Sequence, residues 1–388
     1  MIKVDIIYSG DIYAPNGASV LMKRLMETKE LFKEYQIEQR VFSPSILKKQ
    51  PNKGGESQQS KLTWTKKIVR SISKHSLLVS FLRYRRSYIN PAQEAVKQYE
   101  SLSEKGDVVV FHETWTCYEY LKRDKGQEKK VILIIHGDGD SLFVEMPRFD
   151  SVLLTSYKKR IKETILNNCH KIGFDADYPR QRFCKKFGFD VSKSFYVYNG
   201  IDIRPCPQID DYSKLKVICV ASLSNRKNQE GILNALKLLE PEDQKRVELV
   251  LVGDGSIRES LEKMTQSLSA TVSFVGTMSE NQYYELLLKS NCFCLFSKSE
   301  GLPIAVIEGM RAGLPVIGSR VAGIPEEITD GVTGFVVDLD ERELSDKFKW
   351  MIANLEKLPV MGRSSYGLFR ERFTTEAMIK KYVEVYNS

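Results

Sequence analysis

The chain has 388 residues, of which 42% are hydrophobic and 28% are charged, and its formal net charge is +8. This composition is typical of a globular protein with room for two domains, and it excludes disordered and collagen-like chains. No apolar run reaches the length of about 18 residues that a membrane-spanning helix needs, and the opening segment MIKVDIIYSG indicates a strand rather than a signal peptide, so we expect a cytoplasmic protein.

Strands and helices are predicted to alternate through the first half of the chain. Short apolar runs predict the strands, and amphipathic patterns predict the helices between them. The predicted strands cover 4–9, 36–42, 107–112, 130–136, 170–174 and 195–200, and the predicted helices cover 17–34, 91–104, 151–168 and 178–187. We interpret 1–203 as one Rossmann-like domain, because a segment rich in Pro and Asp follows it at about 203–212.

A basic excursion over 50–90 interrupts this first domain. No acidic residue lies between Glu56 and Glu94, whereas eight Lys and Arg residues lie within 61–86. Read as a helix, the segment has an apolar face that includes Trp64, and such a helix suits an anionic membrane surface. An ordinary solvated helix packed on its own domain remains the alternative. Nucleic acid is not expected as a partner, because no groove-reading motif accompanies the charge.

The second half alternates more strictly. The predicted strands cover 216–222, 247–253, 271–276, 292–297, 315–319 and 334–337, and the predicted helices cover 228–240, 257–268, 279–289, 303–312 and 341–357. Strands separated by helices form parallel sheets that are covered on both faces. We therefore predict an α/β protein whose second Rossmann-like domain covers 204–373. Two such domains facing each other leave a deep cleft at their strand ends, where ligands are expected.

Three residues of the first domain are candidates for this cleft. Gly17, in the stretch PNGAS, opens the helix after the first strand and would let a phosphate or sugar approach the backbone. His136 and His112 each end an apolar strand on the cleft side. A simple glycine turn is an equally good interpretation of Gly17, and a core histidine is the ordinary interpretation of His112.

In the second domain, Arg226 and Lys227 follow the first strand and precede a helix. A cation near a helix N-terminus opposes the helix dipole, so a surface role explains this pair poorly. A lysine can meet a diphosphate as a compact charge, and an arginine can bind it with a forked guanidinium. The pair therefore favours a diphosphate site on this side of the cleft.

The stretch SEGLPIAVIEGMRAGLPVIGS, over 299–319, places Glu300 and Glu308 on either side of a helix start. Pro303 is predicted at the first helical position, where its missing N–H has no partner to lose. The amides of Leu302, Ile304 and Ala305 would then be open to a phosphate. Because carboxylates do not favour phosphate, the two glutamates are expected to accept hydrogen bonds from hydroxyls. The stretch alone is equally consistent with an ordinary helix that has an acidic start.

We expect no metal ion and no cofactor. Asp-x-Asp patterns occur three times, at 138–140, 175–177 and 338–340, which shows how little one such pattern means. Lys227 and the helix amides can neutralise a diphosphate without a metal. Cys292 and Cys294 have no second Cys or His pair nearby, so a zinc site is not expected either.

Six pieces of sequence, in order, carry a family resemblance: VYNGID, ASLSNRKN, LVGDG, FVGTM, SEGLPIAVIEGMRAGLPVIGS and SRVAGIPEEI. Together they resemble the retaining nucleotide-sugar glycosyltransferases of family 4, which have the GT-B fold of two Rossmann-like domains facing across a cleft. The resemblance spans nearly the whole chain and is strongest over 195–337. It also implies that the last helix, at about 374–386, packs back on the first domain.

The resemblance implies a role for each candidate residue. Glu300 would bind donor-sugar hydroxyls, Glu308 the ribose hydroxyls, and Lys227 the diphosphate, while the backbone near Met278 would bind the base. The amides around Leu302, Pro303, Ile304 and Ala305 would contact sugar and phosphate. From the first domain, Gly17 would face the diphosphate and His136 the sugar or the reaction centre. Glu300, Lys227 and His136 are then the catalytic candidates.

One position departs from the family pattern. Ser222 stands where the family often has an arginine that shares the diphosphate with the lysine, and Arg226 is a possible substitute. The implied reaction retains the anomeric configuration and uses no separate base, because the leaving diphosphate assists deprotonation of the acceptor hydroxyl. Stabilisation of that leaving group by Lys227, Arg226 and the helix dipole is then the main catalytic contribution.

The sequence therefore predicts transfer of a hexose-type sugar, with a UDP-sugar favoured as donor, to a lipid-linked saccharide in surface polysaccharide synthesis. The enzyme would be cytoplasmic and peripheral on the inner face of the membrane. Transfer to a protein hydroxyl is an alternative of the same class. A nucleotide-sugar epimerase and a non-catalytic sugar-binding partner are alternatives of other classes, and incubation with nucleotide sugars would separate them.

Overall fold

A computed structural model describes residues 1–13, 17–47, 81–82, 84–123, 129–139, 152–205 and 211–388. Most of the basic segment 61–86 lies outside these residues, as does most of the predicted excursion 50–90. The described residues form an α/β protein with two parallel sheets of six strands each. Within the described ranges, every helix is too short or too polar to span a bilayer.

The first sheet has the strand order β2-β1-β3-β4-β5-β6, and all of its neighbours pair in parallel. Its strands are β1 (Ile2–Ile7), β2 (Ile37–Phe42), β3 (Val108–Phe111), β4 (Lys130–Ile135), β5 (Lys171–Phe174) and β6 (Ser194–Tyr196). Its helices are α1 (Gly17–Glu27), α2 (Lys29–Glu34), α3 (Pro44–Leu47), α4 (Asn90–Glu100, after a π-helical turn at Arg85–Ile89), α5 (Thr114–Arg123), α6 (Val152–Asn168) and α7 (Asp177–Phe187). Strand β3 shows why the runs are continuously apolar: Val109 and Phe111 enter one buried cluster, and Val108 and Val110 enter the cluster on the opposite face.

The second sheet has the order β12-β11-β10-β7-β8-β9, again parallel throughout. Its strands are β7 (Leu215–Val220), β8 (Val247–Val252), β9 (Thr271–Gly276), β10 (Cys292–Leu295), β11 (Val316–Ser319) and β12 (Gly334–Val337). The helices are α8 (Gln229–Lys237), α9 (Pro241–Gln244), α10 (Arg258–Thr265), α11 (Glu280–Leu287), α12 (Ile304–Arg311), α13 (Ile324–Glu327), α14 (Glu341–Ala353), α15 (Leu358–Arg372) and α16 (Thr375–Asn387). In both sheets the chain reverses direction across the sheet, after β2 and after β9, so strand ends form a crevice where ligands bind.

The last helix belongs to the core of the first sheet rather than to that of the second. Met378, Ile379, Tyr382, Val385 and Tyr386 of α16 are buried in the same cluster as strands β1 and β3. The chain therefore crosses from the first domain to the second and returns. The first domain has a side of its core that only the end of the chain completes.

The chain passes between the domains twice, near Ile201 and near Thr374, and these two crossings are hydrogen-bonded to each other. Ile201 N–H donates to the Phe373 carbonyl at 2.9 Å, and Thr375 N–H donates to the Ile201 carbonyl at 3.0 Å. Arg24 of α1 donates to the Gly200 carbonyl at 2.7 Å. A Cβ atom at Gly200 would lie 2.3 Å from the Thr374 carbonyl oxygen, so the close approach of the crossings requires glycine there.

The structure corrects two helix predictions near the site. The predicted helix 17–34 is divided in two, with Thr28 between α1 and α2. Pro303 is not the first residue of its helix: its ψ of 113° is extended, and the helix begins at Ile304. The Pro303 carbonyl accepts the Val306 N–H at 3.0 Å, so Pro303 occupies the capping position. The capping position also needs no N–H from its residue, so a proline fits either position, and the sequence predicted the helix start one residue too early.

Candidate functional site

A loop after β7 presents the two predicted cations. The buried Gln229 side chain donates to the Ser222 carbonyl at 3.0 Å and accepts the Ser224 N–H at 3.3 Å. Asn228 ends the loop with a φ of 54°, a left-handed conformation that asparagine tolerates better than most residues. This geometry places Arg226 and Lys227 directly ahead of α8.

Glu300 is buried and binds both cations. The Lys227 Nζ lies 2.6 Å from Glu300 Oε1, and the Arg226 Nη1 lies 3.1 Å from Glu300 Oε2. Arg226 also donates to the Ser299 carbonyl at 2.8 Å. The Lys227 side chain is 13% exposed and the Arg226 side chain is 52% exposed. A single buried carboxylate thus fixes two cations, and the group retains one net positive charge.

The structure shows a second cation near Lys227 although Ser222 stands at the position where the family often has an arginine. Ser222 is exposed, and its carbonyl is bound by Gln229. Arg226 lies four residues further along, on the same carboxylate as Lys227. Two cations are therefore present at the site although the usual arginine position holds a serine.

Helix α12 begins at Ile304, four residues after Glu300. Ile304 and Ala305 lie in the first turn, where N–H groups have no acceptor within the helix. Leu302 differs from the expectation, because its N–H donates to Asp175 Oδ2 of the first domain at 3.2 Å. The prediction that the Leu302 amide is open to the ligand is therefore wrong for this structure. A residue 127 positions away in the chain satisfies it.

Glu308 lies within α12 and is buried. Its Oε1 accepts a hydrogen bond from the Tyr283 hydroxyl at 2.8 Å. Burial raises the pKa of Glu308 to about 7, because the charged form loses hydration. Met278 precedes α11 in the loop after β9 and packs partly buried on the core. Tyr283 lies on α11, so the hydrogen bond joins Glu308 to the helix that follows this loop.

Two histidines end neighbouring strands of the first sheet. His112 Nδ1 lies 2.9 Å from His136 Nε2, and the rings stack with centroids 5.2 Å apart. Burial lowers the pKa of His136 to about 4 and holds the pKa of His112 well below its usual range. Both rings are therefore neutral at pH 7, so one must donate and the other accept. His136 is a polar group and not a cation at this site.

Asp175 follows β5, next to the histidines, and sequence reasoning gave it no role. Its Oδ2 lies 4.0 Å from His136 Nδ1 and accepts the Leu302 N–H. A Cβ atom at Gly301 would lie 2.3 Å from the same oxygen, so glycine allows this approach. Burial raises the pKa of Asp175 to about 7. The only sequence signal was an acidic residue at the cleft end of a strand.

Glu326 makes a second contact between the domains. Its carboxylate accepts the N–H groups of Asp177 and Tyr178 at 2.9 and 2.7 Å and the Tyr198 hydroxyl at 2.9 Å. A carboxylate at the first amides of α7 is favourable because the helix dipole is positive there. The adjacent Glu327 is fully buried, and burial holds its pKa well above the usual range. The stretch GIPEEI contained both residues, but its spacing did not show that Glu326 contacts the first domain.

Gly17 is the first residue of α1, the helix that follows β1. The same helix carries Arg24, which contacts the crossing at Gly200. Helix α1 thus contacts the segment that leads from the first domain to the second, through Arg24 rather than through Gly17.

Three aspartates of the Asp-x-Asp patterns make local contacts, whereas Asp175 contacts the second domain. Asp177 pairs with Arg180 at 2.6 Å, Asp338 pairs with Arg320 at 2.8 Å, and Asp340 accepts the Arg342 N–H at 2.8 Å. Asp140 lies outside the described residues. Among the residues that are described, no three His, Cys, Asp or Glu side chains are grouped as ligands for a metal ion.

Comparison with known proteins finds a family model that matches the part of the chain that carries this site. Residues 209–366 match the family model of group 1 glycosyl transferases. The chain carries a group 1 glycosyltransferase domain. The match begins just before β7 and ends within α15, so the glycosyltransferase domain contains Arg226, Lys227, Glu300 and Glu308.

Proteins similar to the glycosyltransferase domain have names that indicate several different biosynthetic activities. The chain is 35% identical over 144 residues to the Vi polysaccharide biosynthesis protein VipC/TviE of Salmonella typhi, covering 35% of this chain and 24% of that protein. It is 22% identical over 279 residues to N-acetyl-alpha-D-glucosaminyl L-malate synthase of Bacillus anthracis, covering 70% and 71% of the two chains. It is 29% identical over 198 residues to a GDP-mannose-dependent phosphatidylinositol monomannoside mannosyltransferase of Mycolicibacterium smegmatis, covering 43% and 50%. The matched part thus spans a quarter of the Salmonella protein and half of the mycobacterial one.

Solved structures establish the fold. Anabaena HepE in complex with UDP has a TM-score of 0.68 and 16% identity, and the match covers both chains completely. Sucrose-phosphate synthase from Thermosynechococcus elongatus has a TM-score of 0.73 and 16% identity, with 100% and 98% of the chains covered. The glycosyltransferase domain and the first domain together therefore have the GT-B fold, which confirms the predicted architecture.

Proposed function

We propose that this protein is a retaining glycosyltransferase of family 4 that moves a hexose-type sugar from a nucleotide-diphosphate donor, with UDP favoured, to a hydroxyl of a lipid-linked saccharide. The observation that carries the proposal is the buried Glu300 carboxylate with Lys227 and Arg226 at the N-terminus of α12. A sugar diphosphate needs carboxylates that accept hydrogen bonds from its hydroxyls, and it needs cations and helix amides that bind its phosphates.

Donor binding would give Lys227 and Glu300 new partners. The Lys227 ammonium, held 2.6 Å from Glu300, would pair with the diphosphate, and Glu300 would then accept hydrogen bonds from sugar hydroxyls. The open amides of Ile304 and Ala305 and the dipole of α12 would stabilise the negative charge that develops on the leaving diphosphate. A leaving-group oxygen would take the proton of the acceptor hydroxyl on the same face of the sugar, which retains the anomeric configuration.

The base and ribose would lie at the other end of α12. Glu308, which accepts from Tyr283, would accept the ribose hydroxyls, and the backbone near Met278 would contact the base. The first domain would supply His136 toward the sugar and Gly17 toward the diphosphate. No metal is required, because Lys227, Arg226 and the helix amides supply the compensating charge.

The names of similar proteins support the choice of substrates. Solved structures of HepE hold UDP and UDP-glucose, and TarM was solved with UDP, which favours UDP over GDP. The mycobacterial mannosyltransferases are named as GDP-mannose-dependent, so GDP is the alternative. VipC/TviE is named for polysaccharide biosynthesis, and the phosphatidylinositol mannosyltransferases act on a lipid-linked acceptor by name. A cytoplasmic location on the inner face of the membrane, with 61–86 as the contact, follows as part of this proposal.

A thermal-shift screen with UDP, GDP and their sugar conjugates tests the donor site. A ligand that binds only the folded protein raises its melting temperature. We expect UDP-sugars to stabilise the wild type, and Lys227→Ala and Glu308→Ala to lose most of that shift. Lys245→Ala is the control, because its ammonium pairs with Glu242 on the surface. No stabilisation by any nucleotide would contradict the enzyme and favour a non-catalytic sugar-binding protein.

Incubation of the stabilising donor with a saccharide acceptor then tests the reaction. Transfer with the donor's anomeric configuration, measured by NMR of the product and unchanged by a metal chelator, is expected. An inverted product would contradict retention, and loss of activity in chelator would contradict the metal-free site. An epimerised donor without transfer would show that the protein is an epimerase.

Neutralising the basic residues of 61–86 should release the protein from anionic vesicles, and unchanged binding would contradict the membrane contact.

A further inference from the structure

We infer that Asp175 is a positioning residue that fixes His136 and the Gly301-Leu302 turn relative to each other across the cleft. The inference rests on the proposed function, because it assigns Asp175 to the sugar end of the same site. Asp175 stands at the end of β5 in the first domain, whereas the turn leads into α12 of the second.

The backbone of Leu302 is held by two hydrogen bonds from the first domain, one to its N–H and one to its carbonyl. Its N–H donates to Asp175 Oδ2 at 3.2 Å, and its carbonyl accepts from Asn199 Nδ2 at 3.1 Å. The three residues are buried, so these bonds are shielded from competition by water. Leu302 lies two residues after Glu300 and two before Ile304. A shift of the Leu302 backbone would therefore displace both the Glu300 carboxylate, which is proposed to bind sugar hydroxyls, and the amides of α12 that are proposed to face the phosphate.

Asp175 also orients the imidazole of His136. His136 Nε2 is bound to His112 Nδ1 at 2.9 Å, so Nδ1 is the ring atom that faces Asp175, at 4.0 Å. A carboxylate at this distance is too far for a hydrogen bond, but it favours an N–H over a lone pair on the facing nitrogen. His136 would then carry its proton on Nδ1, and His112 Nδ1–H would donate to His136 Nε2.

The other charged groups near Asp175 cannot replace it in this role. Glu300, Glu326 and Glu327 are its acidic neighbours. Glu300 is bound to Lys227 and Arg226, and Glu326 is bound to the amides of Asp177 and Tyr178. Among the carboxylates of the described residues, Asp175 is the one that both lies 4.0 Å from His136 Nδ1 and accepts the Leu302 N–H.

Imidazole 15N NMR tests the assignment without any need for activity. The chain has four histidines, and His136→Gln identifies the His136 signals. At pH 8.5 we expect wild-type His136 to be protonated at Nδ1. Asp175→Ala should change both ring-nitrogen shifts of His136 toward the other tautomer. Unchanged shifts in Asp175→Ala would overturn the inference.

Glu326→Gln is the matched control for a general loosening of the domains. Glu326→Gln weakens a contact between the same two domains, but Glu326 is bound to Asp177, Tyr178 and Tyr198 and not to His136, so the His136 tautomer should not change. If Glu326→Gln alters the His136 signals as Asp175→Ala does, Asp175 is only one of several domain contacts and the inference is wrong.

Kinetics provides the second measurement. Asp175→Ala should lower kcat about tenfold and raise the nucleotide dissociation constant by less, about threefold, because the phosphate-facing amides shift while Lys227 and Glu308 remain. Asp175→Asn can still accept from Leu302 and should recover about half of that loss on a logarithmic scale. Equal kcat in wild type and Asp175→Ala would contradict the role. A wild type that transfers no sugar would contradict the proposed function instead, and the NMR result would still decide what Asp175 does.

Discussion

The two faces of the cleft differ in charge. The face from the second domain carries Arg226, Lys227, Glu300 and the amides of α12, and its cations are held by a buried carboxylate. The face from the first domain carries a stacked pair of histidines that are neutral at pH 7, because burial lowers the pKa of each.

This difference in charge predicts different roles for the two domains. A diphosphate needs cations and helix amides, and the second domain has both. A sugar ring needs hydrogen bonds of defined direction, which neutral imidazoles and a positioned peptide can provide. The comparison therefore predicts that substitutions on the second face reduce nucleotide binding, whereas substitutions on the first face reduce turnover.

Lys227→Ala should have the largest effect. It removes the buried cation proposed to neutralise the diphosphate, so we expect kcat/KM to fall roughly a hundredfold or more. Steady-state kinetics with the donor identified by thermal shift measures it. Lys245→Ala, which removes an exposed lysine, should leave kcat/KM unchanged. A loss below about threefold in Lys227→Ala would mean that the second face is not the diphosphate site.

Glu308→Gln should weaken nucleotide binding about tenfold at pH 8. Its pKa of about 7 in the free protein gives a pH signature, since ribose hydroxyls donate best to the ionised form. Wild-type affinity should fall as the pH drops through about 7, and the variant's affinity should not change there. Isothermal titration at pH 6, 7 and 8 measures both. Parallel pH profiles for the two proteins would exclude Glu308 from the ribose site.

The stability of Glu308→Gln without ligand provides a check. The pKa of this carboxyl is raised by folding from 4.5 to about 7, so the folded state binds more protons between those pH values. The contribution of Glu308 to stability is then present below pH 4.5 and is lost as the pH rises through about 7. Glu308→Gln should therefore raise the melting temperature more at pH 8 than at pH 5.

His136→Ala sharpens the comparison from the first face. We expect kcat to fall about tenfold, the value of one well-placed hydrogen bond, with the nucleotide dissociation constant unchanged. Calorimetry with UDP and turnover of the UDP-sugar separate the two quantities. A weaker UDP affinity in His136→Ala would contradict the division between the faces.

Arg226→Ala should have the smallest effect. Its guanidinium is half-exposed, and exposed ion pairs contribute little because water screens them. We expect kcat/KM to fall about threefold, with a larger fall at low salt. A loss as large as that of Lys227→Ala would show that Arg226 fully replaces the arginine usual at the Ser222 position.

Much of the architecture was predictable because buried parallel strands have continuous apolar sequences. All twelve strands of the described residues occur where apolar runs predicted them, within a few residues. Helix α15 (Leu358–Arg372) was not predicted, because Pro359, Gly362 and Gly367 interrupt its helical pattern. Gly362 has a tertiary reason that local sequence does not contain, since a Cβ atom there would lie 2.1 Å from the Gly313 carbonyl oxygen.

The site was predictable only where its residues are close together in the chain. Glu300, Pro303 and Glu308 form one local pattern, and Arg226 and Lys227 form another. The contacts of Asp175 with Leu302 and of Glu326 with Asp177 join residues 127 and 149 positions apart. Such pairs depend on how the two domains meet, which no local spacing records.

The position of α16 has a consequence for how the protein is made. The first domain is translated first, and domains generally fold as they emerge. Here the cluster behind β1 and β3 includes Met378, Ile379, Tyr382, Val385 and Tyr386, which the ribosome adds more than 170 residues after the crossing at Ile201. The half of the protein that is synthesised first must therefore wait with an uncovered apolar surface until the last helix arrives.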